Sequence, residues 1–290
     1  MADDSRGEWH VTSGPQPLKR WEITSTKSAR VAAVRRLHER KHRLSDGAFV
    51  VEGPSNVVAG LSDGHVDSIY VTKAFAESHP DILSLIEAAA TGDKITELVT
   101  VSEDVLTVMS DTQQPQGVLA VCGLITQSLD EIAREGMWVV LDQANDPGNA
   151  GTIIRTAEAC GATAVLFTEG SVDPHNGKCV RATAGALFRM PIVTGVTWEQ
   201  VRNAASGRRI VATSGTGDCE LGSAAAAEVL QHPVIWLFGT EAHGLPPLVL
   251  AQADVRIRIP MSGAVESLNL ASAAAMCLWE SCRSAADPQA

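Results

Sequence analysis

What this chain lacks narrows its chemistry. Its six cysteines, Cys122, Cys160, Cys179, Cys219, Cys277 and Cys282, lie far apart with no Cys-x-x-Cys pair, mostly in apolar surroundings. That pattern offers neither zinc-site spacing nor a disulfide framework, so buried thiols and no bound metal are expected. No apolar run free of Gly, Pro or charge reaches the about 20 residues that cross a bilayer. The opening Met1-Ala2-Asp3-Asp4-Ser5-Arg6 has acids and no apolar core, unlike a secretory leader, so a reducing cytoplasm is the expected home. A Gly-x-Gly-x-x-Gly turn after a strand is also missing, which weighs against a nucleotide-dependent oxidoreductase.

Positive charge is scarce, but unevenly so. The net charge is −11, which, averaged over the chain, argues against a nucleic-acid partner. Residues 1–45, however, hold ten Lys/Arg against five Asp/Glu and carry +5, leaving −16 for the remainder. A basic element on an acidic body is the footprint of localised phosphate binding. A helix expected over 27–39 places Val31, Val34 and Leu37 on one face, while Arg30, Arg35, Arg36 and Arg40 project elsewhere. Lys41 and Arg43 extend that surface, and these six cations form the candidate phosphate-tracking set. A solvated charged helix is the competing reading.

The length of 290 residues, with 45% hydrophobic and 20% charged content, suits two globular domains. Residues 1–22 mix Gly, Pro and charge without period and read as a flexible tail. Strands expected at 49–53, 68–72, 95–101 and 117–122 alternate with helices near 55–60 and 80–90. Residues 23–124 therefore read as a small α/β/α layer domain. Within it, Glu52 is expected to cap the helix entered at Pro54-Ser55-Asn56 rather than serve as a catalytic acid. Gln113, Gln114 and Gln116 form a polar loop that either reads nucleic-acid edges or is merely solvated. A linker at 125–128 and a helix at 129–134 lead into a second domain, 129–290. There, strands at 137–141, 164–167, 209–213, 234–238 and 255–259 alternate with helices, the pattern of a parallel α/β sheet. Ligands of such sheets bind beyond the carboxyl ends of the strands.

Three segments fall at those ends. The first, Asn145-Asp146-Pro147-Gly148-Asn149-Ala150-Gly151-Thr152-Ile153-Ile154-Arg155, turns at Pro147-Gly148 into a helix that Asn149 is expected to cap, with Arg155 in its second turn. The second is Phe238-Gly239-Thr240-Glu241-Ala242-His243-Gly244-Leu245, where Gly239 removes a side chain so that a flat ligand can approach the backbone. His243 in this loop reads as structural or solvent-facing. The third, Ile259-Pro260-Met261 followed by Glu266-Ser267-Leu268-Asn269-Leu270-Ala271, sets polar side chains beside the positive end of a small-residue helix. Each segment alone also admits a purely structural reading, as a capped core helix or an ordinary strand-to-helix turn.

In this order, the three segments resemble the SpoU branch of the SPOUT superfamily of RNA methyltransferases, whose pattern runs Asn-x-Gly-x-x-x-x-Arg, Phe-Gly-x-Glu-x-x-Gly and Ile-Pro-Met…Ser-Leu-Asn. Either Asn145 or Asn149 can be aligned with the family Asn, and the distance from Gly148 to Arg155 favours Asn145. The run from Arg36 to Lys41 with Phe49-Val50-Val51-Glu52-Gly53, and Ser110 to Val118, are similar to the ribosomal-protein-like RNA-binding domain that precedes many SpoU catalytic domains. The resemblance spans about 27–283. It implies a C-terminal trefoil knot, S-adenosylmethionine as cofactor, and methylation of a ribose 2′-hydroxyl, of ribosomal RNA in preference to tRNA. Arg155, Asn145, Glu241, Ser267 and Asn269 are then the candidate catalytic set, with Arg155 holding the neighbouring phosphate in a fork. Gly239, Ile259 and Leu268, with Thr213 and Ser214 as weaker members, are the candidate cofactor contacts. The resemblance also implies a homodimer, for which helix 268–282 is a candidate face. A knotted RNA-binding protein without activity remains the alternative of a different class.

Overall fold

The computed structural model describes residues 19–63, 65–91, 97–205, 207–240, 243–265 and 267–286. The chain divides into two compact units, one from the N-terminal part to Ile125 together with His175–Phe188, the other from Thr126–Pro174 and Arg189 onward.

The first unit is a five-stranded sheet of β1 (Lys19–Ile23), β2 (Ala48–Glu52), β3 (Val66–Thr72), β4 (Glu97–Val101) and β5 (Val118–Gly123), in the order β1-β4-β3-β5-β2. β1, β4 and β3 run parallel, and β5 pairs antiparallel with both β3 and β2, so that β2 again runs with the first three. The first strand begins at Lys19, inside the stretch read from sequence as a tail. It has only edge pairing with β4, and that pairing is long-range, so no local pattern announces it. The basic helix is broken into α1 (Ala29–Arg36) and α2 (Arg40–Asp46). Further helices are α3 (Pro54–Asp63), α4 (Lys73–Ser78), α5 (Pro80–Thr91) and α6 (Glu103–Met109). Val31, Val34 and Leu37 join Val105, Leu106 and Met109 over Tyr70, Val99, Leu119 and Val121, forming one core face.

The second unit carries a seven-stranded, all-parallel sheet in the order β10-β12-β9-β11-β6-β7-β8. Its strands are β6 (Trp138–Leu141), β7 (Ala164–Thr168), β8 (Ile192–Val196), β9 (Arg209–Thr213), β10 (Cys219–Glu220), β11 (Val234–Phe238) and β12 (Val255–Arg258). The continuous apolar runs made five of these legible; β8 and β10 went unread, the former because Thr194 and Gly195 interrupt its run with two exposed positions. Helices α7 (Pro147–Ala159), α9 (Trp198–Ala204), α10 (Ala224–Leu230), α11 (Pro247–Leu250) and α12 (Leu270–Ala286) belong to this unit, while α8 (Gly177–Thr183) belongs to the first. Residues 129–134, expected as a helix, form turns whose Leu129 and Ile132 plug the core edge. On the opposite face α12 packs on α7 and α10, and Trp236 of β11 donates its indole N–H to Ser281 Oγ of α12 at 2.8 Å.

Segment 175–188, placed by sequence in the second domain, packs within the first unit. The reason is aromatic. Phe188 stacks on Phe49 with ring centroids 6.2 Å apart, and His175 meets Phe49 edge-on at 4.7 Å. Gly60 of α3 leaves the room that Phe188 fills.

Candidate functional site

The second sheet reverses its strand order between β6 and β11. From β6 the chain adds β7 and β8 on one side, and the later strands fill the other. In such sheets the crevice beyond the carboxyl ends at the reversal is the usual ligand site. All three sequence segments start there: after β6, after β11 and after β12. Neighbouring strands lie about 4.8 Å apart, so the ends of β6, β11, β9 and β12 form one continuous edge. Backbone bonds hold that edge together, from Asp142 N–H to Phe238 O (2.8 Å) and from Ser214 N–H to Ile257 O (3.1 Å).

At the β6 end, Asp142 is buried and its Oδ1 accepts from Thr168 Oγ1 at 2.8 Å. Gln143 follows in the left-handed region (φ 54°), turning the chain sharply towards α7. Asp146, not Asn149, is the residue that caps α7: its carboxylate accepts from Asn149 N–H at 2.8 Å. A carboxylate with Pro147 at the first helical position is a stronger start signal than the amide three residues on. Asn149 is thereby released inside the first turn. Its Oδ1 accepts from Asn269 Nδ2 at 3.0 Å. The other end of the Asn269 amide caps α12, accepting from Ala271 N–H (2.9 Å) and Ser272 N–H (3.2 Å). One side chain thus finishes one helix and clasps the start of another. The positive ends of a 13-residue and a 17-residue helix meet at this clasp.

Asn145, the residue favoured by spacing, is exposed just before the cap, and it is Asn149 that meets Asn269. Arg155 is exposed on α7, on the helical face that carries Gly148 and Thr152. Ser267 is exposed and Leu268 half-buried ahead of α12. Glu241 lies outside the described residues, as do Ala242 and Glu266.

The cofactor candidates behave differently from one another. Gly239 is buried, and a Cβ there would collide with the backbone of Gly244 and Leu245. Its bareness admits the chain's own loop: Thr240 and Gly244 exchange backbone bonds of 3.0 and 2.9 Å across it. Thr213 donates its hydroxyl to Leu237 O at 3.3 Å, and Ser214 Oγ accepts from Thr216 N–H at 3.2 Å, so both side chains serve the strand end itself. Ile259 is half-buried, and the exposed Met261 and Val265 continue an apolar rim beyond β12.

In the first unit the basic set divides. Arg35, Arg40 and Lys41 are exposed. Arg30 is paired with Glu97, and Arg36 with Asp46 at 2.9 Å. Arg43 is 3% exposed and donates to the carbonyls of Leu37 (3.0 Å) and His38 (2.8 Å), which otherwise end α1 unpaired. It is a structural cap rather than a surface cation. Glu52 also departs from its expected role. Its carboxylate accepts from Ser110 Oγ, from Asp111 N–H at 3.0 Å and from Arg181 at 3.2 Å, whereas its backbone carbonyl receives Asn56 Nδ2.

Among the described residues no helix is long and apolar enough to cross a membrane. Residues 136–279 match the SpoU rRNA Methylase family, and residues 28–120 match the MRM3-like substrate binding domain. The chain is 31% identical over 263 residues to the 23S rRNA (guanosine(2553)-2′-O)-methyltransferase RlmP of Bacillus subtilis, covering 89% of this chain and 98% of that protein. It is 32% identical over 198 residues to the 23S rRNA (uridine(2479)-2′-O)-methyltransferase of Streptomyces viridochromogenes, covering 65% of this chain and 68% of the relative. The crystal structure of an AdoMet-bound rRNA methyltransferase from Sinorhizobium meliloti superimposes with a TM-score of 0.77 at 30% identity, over 92% of this chain and 98% of that one. With both units accounted for, the two-part layout, the parallel sheet and the three segments at its carboxyl edge have one common explanation: the chain belongs to the SpoU rRNA methylase family.

Proposed function

We propose that the protein is an S-adenosylmethionine-dependent methyltransferase acting on a ribose 2′-hydroxyl of ribosomal RNA. The observation that carries this reading is the Asn149–Asn269 clasp at the strand-order reversal, which gathers two helix N-termini where an electron-rich ligand is stabilised. The Bacillus subtilis and Streptomyces viridochromogenes relatives, both 23S rRNA 2′-O-methyltransferases by name, support the choice of ribosomal over transfer RNA.

The residues present fit the cofactor. Ile259, Met261, Val265 and Leu268, apolar side chains between β12 and α12, suit an apolar ring and thioether chain. Backbone groups at the ends of β9, β11 and β12 would supply the polar contacts, since Thr213, Ser214 and Gly239 offer little from their side chains. When bound, S-adenosylmethionine supplies an already activated sulfonium methyl group. What remains for the protein is alignment and help with the hydroxyl proton.

Arg155 provides the guanidinium that holds the phosphate next to the target ribose in a bidentate fork and favours oxyanion character on the 2′-oxygen. A guanidinium is already protonated and has no acceptor site for the proton, so a substrate phosphate oxygen or solvent takes it. Asn149 and Asn269 act as positioning residues, with Ser267 ahead of α12 as a further polar side chain. Arg35, Arg40 and Lys41 contact RNA phosphates. The protein works as a cytoplasmic homodimer with a knotted C-terminal unit. On α12, Met276 (46% exposed) and Trp279 (63%) share the open face with Ser272 and Arg283, apolar area that a second copy would cover.

The test is transfer of labelled methyl groups to unmodified 23S rRNA and tRNA transcripts, followed by alkaline hydrolysis. Label should appear in the 23S transcript at an alkali-resistant linkage and fall at least a hundredfold in Arg155→Ala. Label confined to tRNA, or to a base, would overturn the substrate assignment; undiminished transfer by Arg155→Ala would overturn its role.

A further inference from the structure

We propose that a pocket in the first unit receives a single unstacked nucleobase of the RNA and reads its hydrogen-bonding edge. This rests on the reading of the protein as an RNA methyltransferase, and it assigns a substrate-recognition role to residues outside the methyl-transfer site. The pocket encloses about 320 Å³ and is lined by Glu52, Asn56, Thr112, Gln114, Gln116 and Arg181, among others.

One buried atom calls for a ligand. Asn56 is 6% exposed, and its Nδ2 donates to the Glu52 carbonyl at 3.1 Å. That bond fixes the orientation of the amide, and Oδ1 is left buried with no hydrogen-bond partner. A buried acceptor without a donor is destabilising, so the site is complete only when something with an N–H or O–H enters.

The lining says what that something is. A phosphate brings acceptors only and would face the carboxylate of Glu52, which is 7% exposed and holds its charge close to the pocket. The one cation present, Arg181, already has its charge balanced by Glu52 at 3.2 Å and Asp111 at 3.6 Å. The Watson–Crick edge of every base, by contrast, carries at least one N–H donor beside its acceptors. Asn56 Oδ1 takes the donor. The amides of Gln114 and Gln116, both exposed at the mouth, offer a donor and an acceptor each. Gln116 lies directly over Gly53, where any Cβ would displace it. Arg181, fixed by its two carboxylates, presents a guanidinium plane on which a base can stack. Sequence-reading of RNA targets splayed-out bases of single-stranded loops in this manner.

The experiment measures equilibrium binding of the full chain to an unmodified 23S rRNA transcript over a salt series. It compares wild type with the double variant Gln114→Ala/Gln116→Ala and with Asn56→Ala, each checked for melting temperature and for S-adenosylmethionine binding. The exposed glutamines are the safe variant should Asn56→Ala fail to fold. Loss of base contacts predicts roughly tenfold weaker RNA binding or more, with an unchanged slope of log Kd against log salt, and unaltered cofactor binding. Unchanged affinity overturns the proposal. Weaker binding with a slope reduced by about one assigns the pocket to phosphate instead and overturns it too. Should the wild type fail to bind the transcript, the RNA reading beneath the proposal falls.

Discussion

Replacing Asn269 separates two duties of one side chain. In Asn269→Ala the α12 cap is lost, which costs about 1 kcal/mol, together with the 3.0 Å tie to Asn149. That tie is exposed, so it adds only about 0.5 kcal/mol. For a unit of this size, the sum lowers Tm by about 3–6 °C. Asn269→Ser restores an acceptor for the Ala271 and Ser272 N–H groups but is too short to reach Asn149. Its Tm should lie within about 2 °C of wild type, since cap residues of this class are nearly interchangeable. If the clasp sets the geometry of methyl transfer, both variants lose activity by at least tenfold, because small misplacements are severe for an aligned displacement. A double-mutant cycle with Asn149→Ala should then show coupling in kcat that exceeds the coupling in stability. Melting curves and single-turnover methyl transfer supply both quantities. Wild-type turnover in a well-folded Asn269→Ser would refute the reasoning, since it would leave the clasp as a helix cap and nothing more.

Three further outcomes follow from other parts of the molecule. Gly239→Ala forces a methyl into the backbone of Gly244 and Leu245, which cannot yield as a side chain could; we expect about 1–3 kcal/mol of destabilisation and loss of S-adenosylmethionine binding by calorimetry, and wild-type affinity would contradict the packing described. Burial pushes the Asp67 carboxyl from the usual carboxylate range up to about 6, so the folded state favours its protonated form and loses stability as pH rises from about 4 through 6. Discounted for its partial exposure, Asp67→Asn should add about 1–2 kcal/mol at pH 8 and progressively less towards pH 5; melting curves that shift equally at both pH values would be inconsistent with this. Trp279→Glu places a charge on the open α12 face and should leave a monomer mass in sedimentation at concentrations where the wild type is dimeric; an unchanged wild-type monomer would dispose of the dimer altogether.

The legible and illegible parts of this fold differ in range. Buried parallel strands announce themselves as short apolar runs, and β9 and β11 begin and end where their sequences say. The three segments at the carboxyl edge were legible for the same reason, each following such a run. What sequence left hidden depends on partners far along the chain. Spacing favoured Asn145, whereas the residue that meets Asn269, 120 residues later, is Asn149, and Asp146 caps α7 in its place. A cation in a basic cluster reads as surface, yet Arg43 is drawn inward by two carbonyls that only the break between α1 and α2 exposes. Glu52 stood beside a helix start and was read as its cap, while its true partners sit at Ser110, Asp111 and Arg181.

The return of residues 175–188 to the first unit bears on how the protein is made. A nascent chain emerging at about 5–20 residues per second delivers β5 several seconds before the stretch that covers Phe49 and fills the space beside Gly60. During that interval the early sheet waits with an aromatic side uncovered, a vulnerable species on the ribosome. A gene truncated after Ile125 would therefore encode an unfinished half rather than a module that can be transplanted, and swapping RNA-recognition parts between relatives would require moving the later stretch along with the first.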